Sequence, residues 1–330
     1  MTQRPRVLQN SQTLGAIQAR LDERYDIHRL WQEPDADAFL AARGKEFVGL
    51  ATSAQVGADA ALMDKLPSLR VISSFGVGFD RVDVAAAYKR GIMVGYTPAV
   101  LNDCVADIAW GLLIDAARGI SASDRYVRRG EWPKANYPLQ TRVSGKRLGI
   151  IGLGRIGKAI AKRGEGFDMD VRYTSRNPVA DTAYRYEPSL VELARWCDFL
   201  IVAASGGAGT RGLVSAAVIE ALGPKGFLIN VSRGTVVDEA ALVDALVHKR
   251  IAGAGLDVFE NEPQVPSALF ELDNVVLLPH VASATHETRL AMGELVLANL
   301  DSYFASGSLV TPVPAPAGVE APKPAREARS

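Results

Sequence analysis

At 330 residues the chain is long enough for two hydrophobic cores rather than one. Its 37 basic and 37 acidic side chains cancel, so no overall field favours nucleic acid or an anionic membrane. Apolar residues make up 48% and charged ones 22%, a compact soluble composition without a membrane-length apolar stretch, and MTQRPRVLQN lacks the apolar region of a secretory leader. In chain order, short apolar runs at 6–8, 47–50, 71–75 and 92–94 alternate with helical patterns, clearest over 36–43 and 80–90. Such alternation predicts a parallel sheet covered on both faces. A longer apolar helix is expected over 101–119, with Asn102 or Asp103 as its N-cap.

A second alternating series follows, with strands expected at 148–151, 171–174, 199–203, 227–231, 254–258 and 275–278. Six βα units in that order are what a doubly wound nucleotide-binding domain requires. One more helix is expected over 288–304, and the Pro- and Ala-rich tail at 311–330 has no apolar periodicity and is expected to be disordered. If the last helix returns to the first domain, a cleft lies between the two. Cys104 and Cys197 lack metal-ligand spacing and sit in apolar helical patterns, so both are expected as buried free thiols in a reducing, cytoplasmic setting, with no metal.

Gly152-Leu153-Gly154-Arg155-Ile156-Gly157 is a GxGxxG between an apolar strand and a helix, the context in which glycines admit a pyrophosphate to a helix N-terminus. An NAD site usually carries an acid at the tip of the next strand; here the tip reads Tyr173-Thr174-Ser175-Arg176, while Asp168 and Asp170 lie at the other end. Ser175 and Arg176 suit a 2′-phosphate, so NADPH is favoured over NADH. Gly76-Val77-Gly78-Phe79-Asp80 also follows a strand but lacks the third glycine, and is read as a cradle of N–H groups for a small carboxylate.

Three strand ends offer acid–base chemistry. Arg233 follows the fourth strand of the second series, with Gly234 allowing an immediate turn; a guanidinium there can hold a carboxylate bidentately. Of the four histidines, His28 and His286 lie in polar surroundings and His248 closes a helix, which leaves His280 at a strand tip as the proton donor. A carboxylate beside it would orient the imidazole and keep it protonated; Glu260 and Glu262 both have suitable spacing.

The motifs GVGFDRVD, TPAVLNDCVADIAWGLL, GIIGLGRIG, INVSRGTVVDE, AGLDVFENEP and LLPHVASAT resemble those of the D-isomer-specific 2-hydroxyacid dehydrogenase family over residues 5–310. The resemblance is strongest to its hydroxypyruvate/glyoxylate and hydroxyphenylpyruvate reductases. It implies an α/β fold, with a Rossmann-type nucleotide-binding domain at 99–285 and a smaller flavodoxin-like substrate domain at 1–98 plus 286–310, the active site in the cleft between them. It also implies an Arg233–Glu262–His280 active site, in preference to Glu260. Val77 and Gly78 would bind the substrate carboxylate through backbone N–H groups, and Ser283 would touch the substrate. Leu153 to Ile156, Ser175, Arg176, Val231, Ser232 and Asp257 match cofactor contacts. The implied activity is NAD(P)H-dependent reduction of glyoxylate and hydroxypyruvate to D-2-hydroxy acids, with bulkier keto acids or a dinucleotide-sensing corepressor as alternatives. The helix near 101–119 commonly builds a homodimer in this family. Trp132 and Tyr137 either reach the partner's site or only pack the dimer. The chain departs from the family in Ala204-Ser205-Gly206-Gly207-Ala208-Gly209, where a polar, proline-containing stretch is usual; this predicts a mobile loop beside the nicotinamide.

Overall fold

A computed structural model describes residues 4–322. It divides into two compact units, Met1–Leu101 with Thr285–Ser330, and Asn102–Ala284.

The first unit opens with β1 (Arg6–Gln9), α1 (Gly15–Arg24), β2 (Asp26–Arg29), α2 (Ala36–Arg43) and β3 (Gly49–Ser53). It continues through α3 (Ala60–Asp64), β4 (Val71–Phe75), α4 (Val84–Lys89) and β5 (Met93–Gly95). All five strands are parallel, in the order β2-β1-β3-β4-β5, the flavodoxin-like winding. Strand β3 buries four of its five residues, as a central parallel strand covered on both faces must.

The second unit begins with α5 (Asn102–Arg118) and α6 (Ile120–Arg128), followed by β6 (Arg147–Ile151), α7 (Arg155–Glu165), β7 (Asp170–Thr174) and β8 (Arg185–Tyr186). Then come α8 (Leu190–Trp196), β9 (Phe199–Val202), α9 (Ala216–Leu222), β10 (Phe227–Asn230), α10 (Glu239–Val247), β11 (Gly253–Leu256) and β12 (Val275–Leu277). The sheet runs β12-β11-β10-β9-β6-β7-β8, all parallel. Winding reverses between β6 and β9, so the loops after these strands sit at the switch point where open α/β sheets bind ligands. Every residue of β9 and β10 is buried, and α7 covers the sheet with Gly157, Ile160, Ala161 and Gly164 at helical spacing.

The chain then returns to the first unit as α11 (His286–Ser306), whose Thr285 N-cap accepts from the Thr288 N–H and whose end is turned by Gly307 in the left-handed region. Its Leu297 and Leu300 pack with Val7, Ile17 and Val71.

Three features differ from the expectations. Strand β2 and helix α1 carry too few apolar residues to announce themselves: all four β2 residues are half-buried, and α1 buries only Ile17 and Leu21. The tail at 311–330 is not disordered from its start. Asn299, fully buried on α11, accepts from the Thr311 N–H and donates to Thr311 Oγ1, and the Val313 N–H donates to Val94 O. A buried amide must be satisfied, and this one recruits the chain beyond the helix; residues 323–330 lie outside the described residues. His28, read as polar in setting, stacks on Phe39 with ring centroids 4.1 Å apart.

Candidate active site

The loop after β6 assigns its glycines separate tasks. Gly152 has φ +93°, and a Cβ there would come within 2.8 Å of the Ala204 backbone. Gly157 lies against Gly152 O, which a Cβ would approach to 2.1 Å, so α7 packs closely on the strand only because residue 157 has no side chain. Around Gly154, the N-cap of α7, a Cβ would meet nothing within 4 Å. Open space at the unsatisfied N–H groups of an 11-residue helix fits a dinucleotide pyrophosphate. Leu153 is buried beneath the turn, Arg155 is exposed and Ile156 half-buried. At the tip of β7, Ser175 Oγ donates to Asn177 O at 2.5 Å, and Arg176 is exposed beside it. Asp170 pairs with Arg147 at the opposite end of the strand, far from any ribose at the tip.

Within the same unit His280 and Glu262 meet. His280 Nδ1 lies 2.7 Å from Glu262 Oε2, and Glu262 Oε1 accepts from the Phe259 N–H at 3.1 Å. Burial pushes the Glu262 carboxyl up, but the hydrogen bond and charge of His280 outweigh it, and with the Phe259 N–H and Arg233 hold it below the usual carboxylate range. Glu260 is turned elsewhere, pairing with Arg211 at 2.8 Å. With Nδ1 engaged, the imidazole presents Nε2 as the atom able to exchange a proton with a substrate.

The turn carrying His280 is held from below. Its φ of +55° is a left-handed conformation that costs a side-chain-bearing residue about 1–3 kcal/mol. Asp257 offsets this strain: its carbonyl accepts the His280 N–H at 2.9 Å, and its carboxylate takes the N–H groups of Val281 and Ala282 at 2.7 and 2.9 Å. Expected as a cofactor contact, Asp257 is 1% exposed and directs both carboxylate oxygens at this turn; burial raises its pKa against those bonds. Ser283 follows in a turn closed by the Ala284 N–H on Val281 O. Cys104 Sγ lies 3.1 Å from Ala282 O; it is half-buried rather than buried, whereas Cys197 is buried, and both are free thiols.

Arg233 leaves the end of β10 and donates from Nη1 to Ser232 O at 2.8 Å. Its stem runs past Gly206, where a Cβ would come within 2.6 Å of Arg233 Cγ. The glycine-rich loop therefore has a packing reason: it clears the path of the arginine. It is also tied together, since Thr210 Oγ1 donates to Ser205 O and the Thr210 N–H to Gly207 O. Ser232 Oγ donates to Ala204 O, and Val231 is buried behind it.

In the first unit, Val77 and Gly78 follow β4 on a bend anchored by the Gly76 N–H to Thr97 Oγ1 and the Thr97 N–H to Gly76 O. Among the described residues neither Val77 nor Gly78 donates its N–H to another group. Trp132 is exposed; Tyr137 meets Tyr126 edge-on at 5.4 Å.

Residues 110–282 match the model of the D-isomer specific 2-hydroxyacid dehydrogenase, NAD binding domain. A hydroxyphenylpyruvate reductase from Plectranthus scutellarioides is 49% identical over 297 residues, 90% of this chain and 95% of that protein. The chain belongs to the D-isomer-specific 2-hydroxyacid dehydrogenase family. As a D-2-hydroxyacid dehydrogenase it is also 42% identical to a 2-ketogluconate reductase from Gluconobacter oxydans, over 95% of this chain and all of that one. An NADPH-dependent glyoxylate/hydroxypyruvate reductase from Sinorhizobium meliloti, solved with NADP and malonate, superposes with a TM-score of 0.88. It is 46% identical, with 94% of this chain and 97% of that one covered. No helix of this dehydrogenase is long and apolar enough to cross a membrane, and no cluster of three metal-ligating side chains occurs, both among the described residues.

Proposed function

We propose that this dehydrogenase reduces small 2-keto acids, glyoxylate and hydroxypyruvate, to D-2-hydroxy acids with NADPH. The observation that carries the reading is the His280–Glu262 pair, set on a strained turn of the same sheet that presents the glycine loop. The bound dinucleotide supplies the hydride that reduces C2 of the keto acid. His280 donates the proton from Nε2 to the C2 carbonyl oxygen, so the carbonyl gains one hydride and one proton, the aldehyde of glyoxylate becoming a primary alcohol and the ketone of hydroxypyruvate a secondary one. Glu262 remains ionised across neutral pH, keeps Nδ1 protonated and balances the imidazolium before donation. Within the second unit Arg233 holds a carboxylate and polarises the carbonyl, and within the first the N–H groups of Val77 and Gly78 are donors suited to a carboxylate. Ser283 lies on the His280 turn as a substrate contact. Leu153 to Ile156, Val231 and Ser232 border the dinucleotide, and Asp257 acts by shaping the turn.

Preference for NADPH is supported by Ser175 and exposed Arg176 at the strand tip without an acid, and by the NADP bound in the Sinorhizobium relative. A homodimer is supported by the exposed apolar side chains Ile120, Val127, Trp132 and Leu139, clustered in one stretch of chain. A cytoplasmic setting is supported by the two free thiols. The named relatives differ in the group their keto acids carry, so the shared chemistry is reduction at C2.

Steady-state kinetics on glyoxylate and hydroxypyruvate with each cofactor tests the reading. The expected result is turnover with both acids, about tenfold or more in favour of NADPH, with Arg176→Ala erasing that preference. His280→Asn should lower kcat by about 10²–10⁴-fold while leaving NADPH binding intact. Absence of turnover with any 2-keto acid, or wild-type kcat in His280→Asn, refutes it.

A further inference from the structure

The loop that carries Glu262 is held at points outside the His280 pair. Phe259 leads into it from the buried core of the second unit, and beyond Glu262 the Gln264 N–H donates back to Asn261 O at 2.9 Å. The backbone at 259 and 260 lies directly on Gly234, where a Cβ would come within 1.9 Å of Phe259 C and 2.2 Å of Glu260 N. The turn that leaves Arg233 therefore touches the segment that leads to Glu262, and only a residue without a side chain fits there.

A second contact joins the same two segments. The Glu260 N–H donates to Glu239 Oε1 at 2.9 Å, across 21 residues of chain. Glu239 is the first residue of α10 and is half-buried. Its neighbour Asp238 caps the helix by accepting the Ala241 N–H at 3.0 Å, and the Asp238 N–H donates to Val214 O at 3.0 Å. A helix start fixed in this way holds the Glu239 backbone in place, so its carboxylate is a positioned acceptor. A carboxylate taking a backbone N–H makes a stronger bond than a neutral acceptor does. The bond fixes the peptide between Phe259 and Glu260, one residue from the Phe259 N–H that Glu262 Oε1 accepts. The Glu260 side chain contributes less, because its pair with Arg211 is exposed.

We infer that Glu239 is a positioning residue: through the Glu260 N–H it sets the Phe259 N–H, and so the placement in which Glu262 meets His280. The inference rests on the reading of His280 as the proton donor. It gives the last acid of INVSRGTVVDE a task beyond starting a helix. One short stretch, Arg233 to Glu239, then supplies both the cation proposed for the substrate and the brace for the acid–base pair.

The experiment separates reach from charge. Glu239→Asp keeps the charge at the helix start but is one methylene too short for the Glu260 N–H, whereas Glu239→Gln loses the charge and keeps an oxygen that can accept it. Initial rates of NADPH oxidation with hydroxypyruvate are measured against pH in both variants and the wild type, with thermal unfolding in parallel. Glu239→Asp should lower kcat about tenfold at neutral pH, with KM for NADPH unchanged. It should also move the basic limb of the kcat/KM profile to lower pH, because a displaced Glu262 supports the imidazolium less. The other charged groups about the pair, Asp257 and Arg233, are the same in every variant. Glu239→Gln should stay close to the wild type in both rate and limb. A role confined to the helix dipole predicts the reverse order, with Gln impaired and Asp intact. That order, a wild-type rate in Glu239→Asp, or a lowered rate with the basic limb in place overturns the inference. Failure of the proton-donor reading looks different, because His280→Asn then keeps the wild-type kcat whatever residue stands at 239.

Discussion

Replacing Gly206 by alanine sets a methyl group against the arginine assigned to the substrate. The new Cβ would lie 2.6 Å from Arg233 Cγ and 3.5 and 3.6 Å from its Cβ and Cδ. Carbon atoms rest about 3.5–4.0 Å apart, so Cγ must withdraw by about 1 Å. The obstacle is a flexible stem and Gly206 is not in the left-handed region, so the fold loses little: an off-rotamer arginine costs about 0.5–1.5 kcal/mol. Transition-state binding loses more, because ~1 Å of misplacement can cost up to about 10²-fold. We expect kcat/KM for glyoxylate to fall about 10- to 100-fold, equal to about 1.4–2.7 kcal/mol of lost stabilisation. The assay is NADPH oxidation under initial-rate conditions, with thermal unfolding measured in parallel. Gly209→Ala is the control in the same loop, since a Cβ there meets nothing within 4 Å. Wild-type kcat/KM in Gly206→Ala, or an equal loss in Gly209→Ala, refutes the reasoning.

In Gly157→Ala the obstacle is backbone, Gly152 O at 2.1 Å, so we expect a loss of about 1–3 kcal/mol, seen as a Tm lower by about 3–10 °C, together with weaker NADPH binding. Unchanged Tm and affinity would contradict the packing role. Because the Glu262 carboxyl is held below its unfolded value, its contribution to stability is present above about pH 4.3 and lost as pH falls through the lower folded value. The stability gap between wild type and Glu262→Gln, from urea unfolding, should therefore narrow between neutral pH and about pH 3.5; a gap that widens on acidification would reverse the assignment. Burial pushes the Cys197 thiol up to about 12, so alkylation followed by peptide mass analysis should leave Cys197 unmodified in native protein at neutral pH and label it after denaturation. Rapid native labelling at Cys197 would contradict that burial.

Legibility in the sequence followed burial. Fully buried parallel strands such as β9 and β10 read as apolar runs, FLIV and FLIN, and locate themselves. Two edge strands do not: β2, DIHR, is half-buried along its length, and β8 is two residues long. The strand tips carrying Ser175, Arg233 and His280 were readable because strand-to-turn transitions mark the end of the sheet where ligands bind. Partnerships across the chain were not. Spacing left Glu260 and Glu262 equal, and the family pattern rather than periodicity preferred Glu262; the fold directs one at Arg211 and the other at His280. Asp257 bonding the turn at 281 and 282, and Gly206 clearing Arg233, depend on segments more than 20 residues apart, which local pattern cannot join.

The split first unit sets an order of events during synthesis. Residues 102–284 leave the ribosome as one uninterrupted stretch and can fold at once. Val7, Ile17 and Val71, made earlier, wait for Leu297 and Leu300 on α11 to cover them. At ~5–20 residues per second that wait lasts about 10–60 s, an interval in which nascent β1 and β4 present bare apolar surface. The last helix thus acts as a timed lid on the first segment translated, and a chain released before it should be captured by chaperones or aggregate through its own N-terminal sheet.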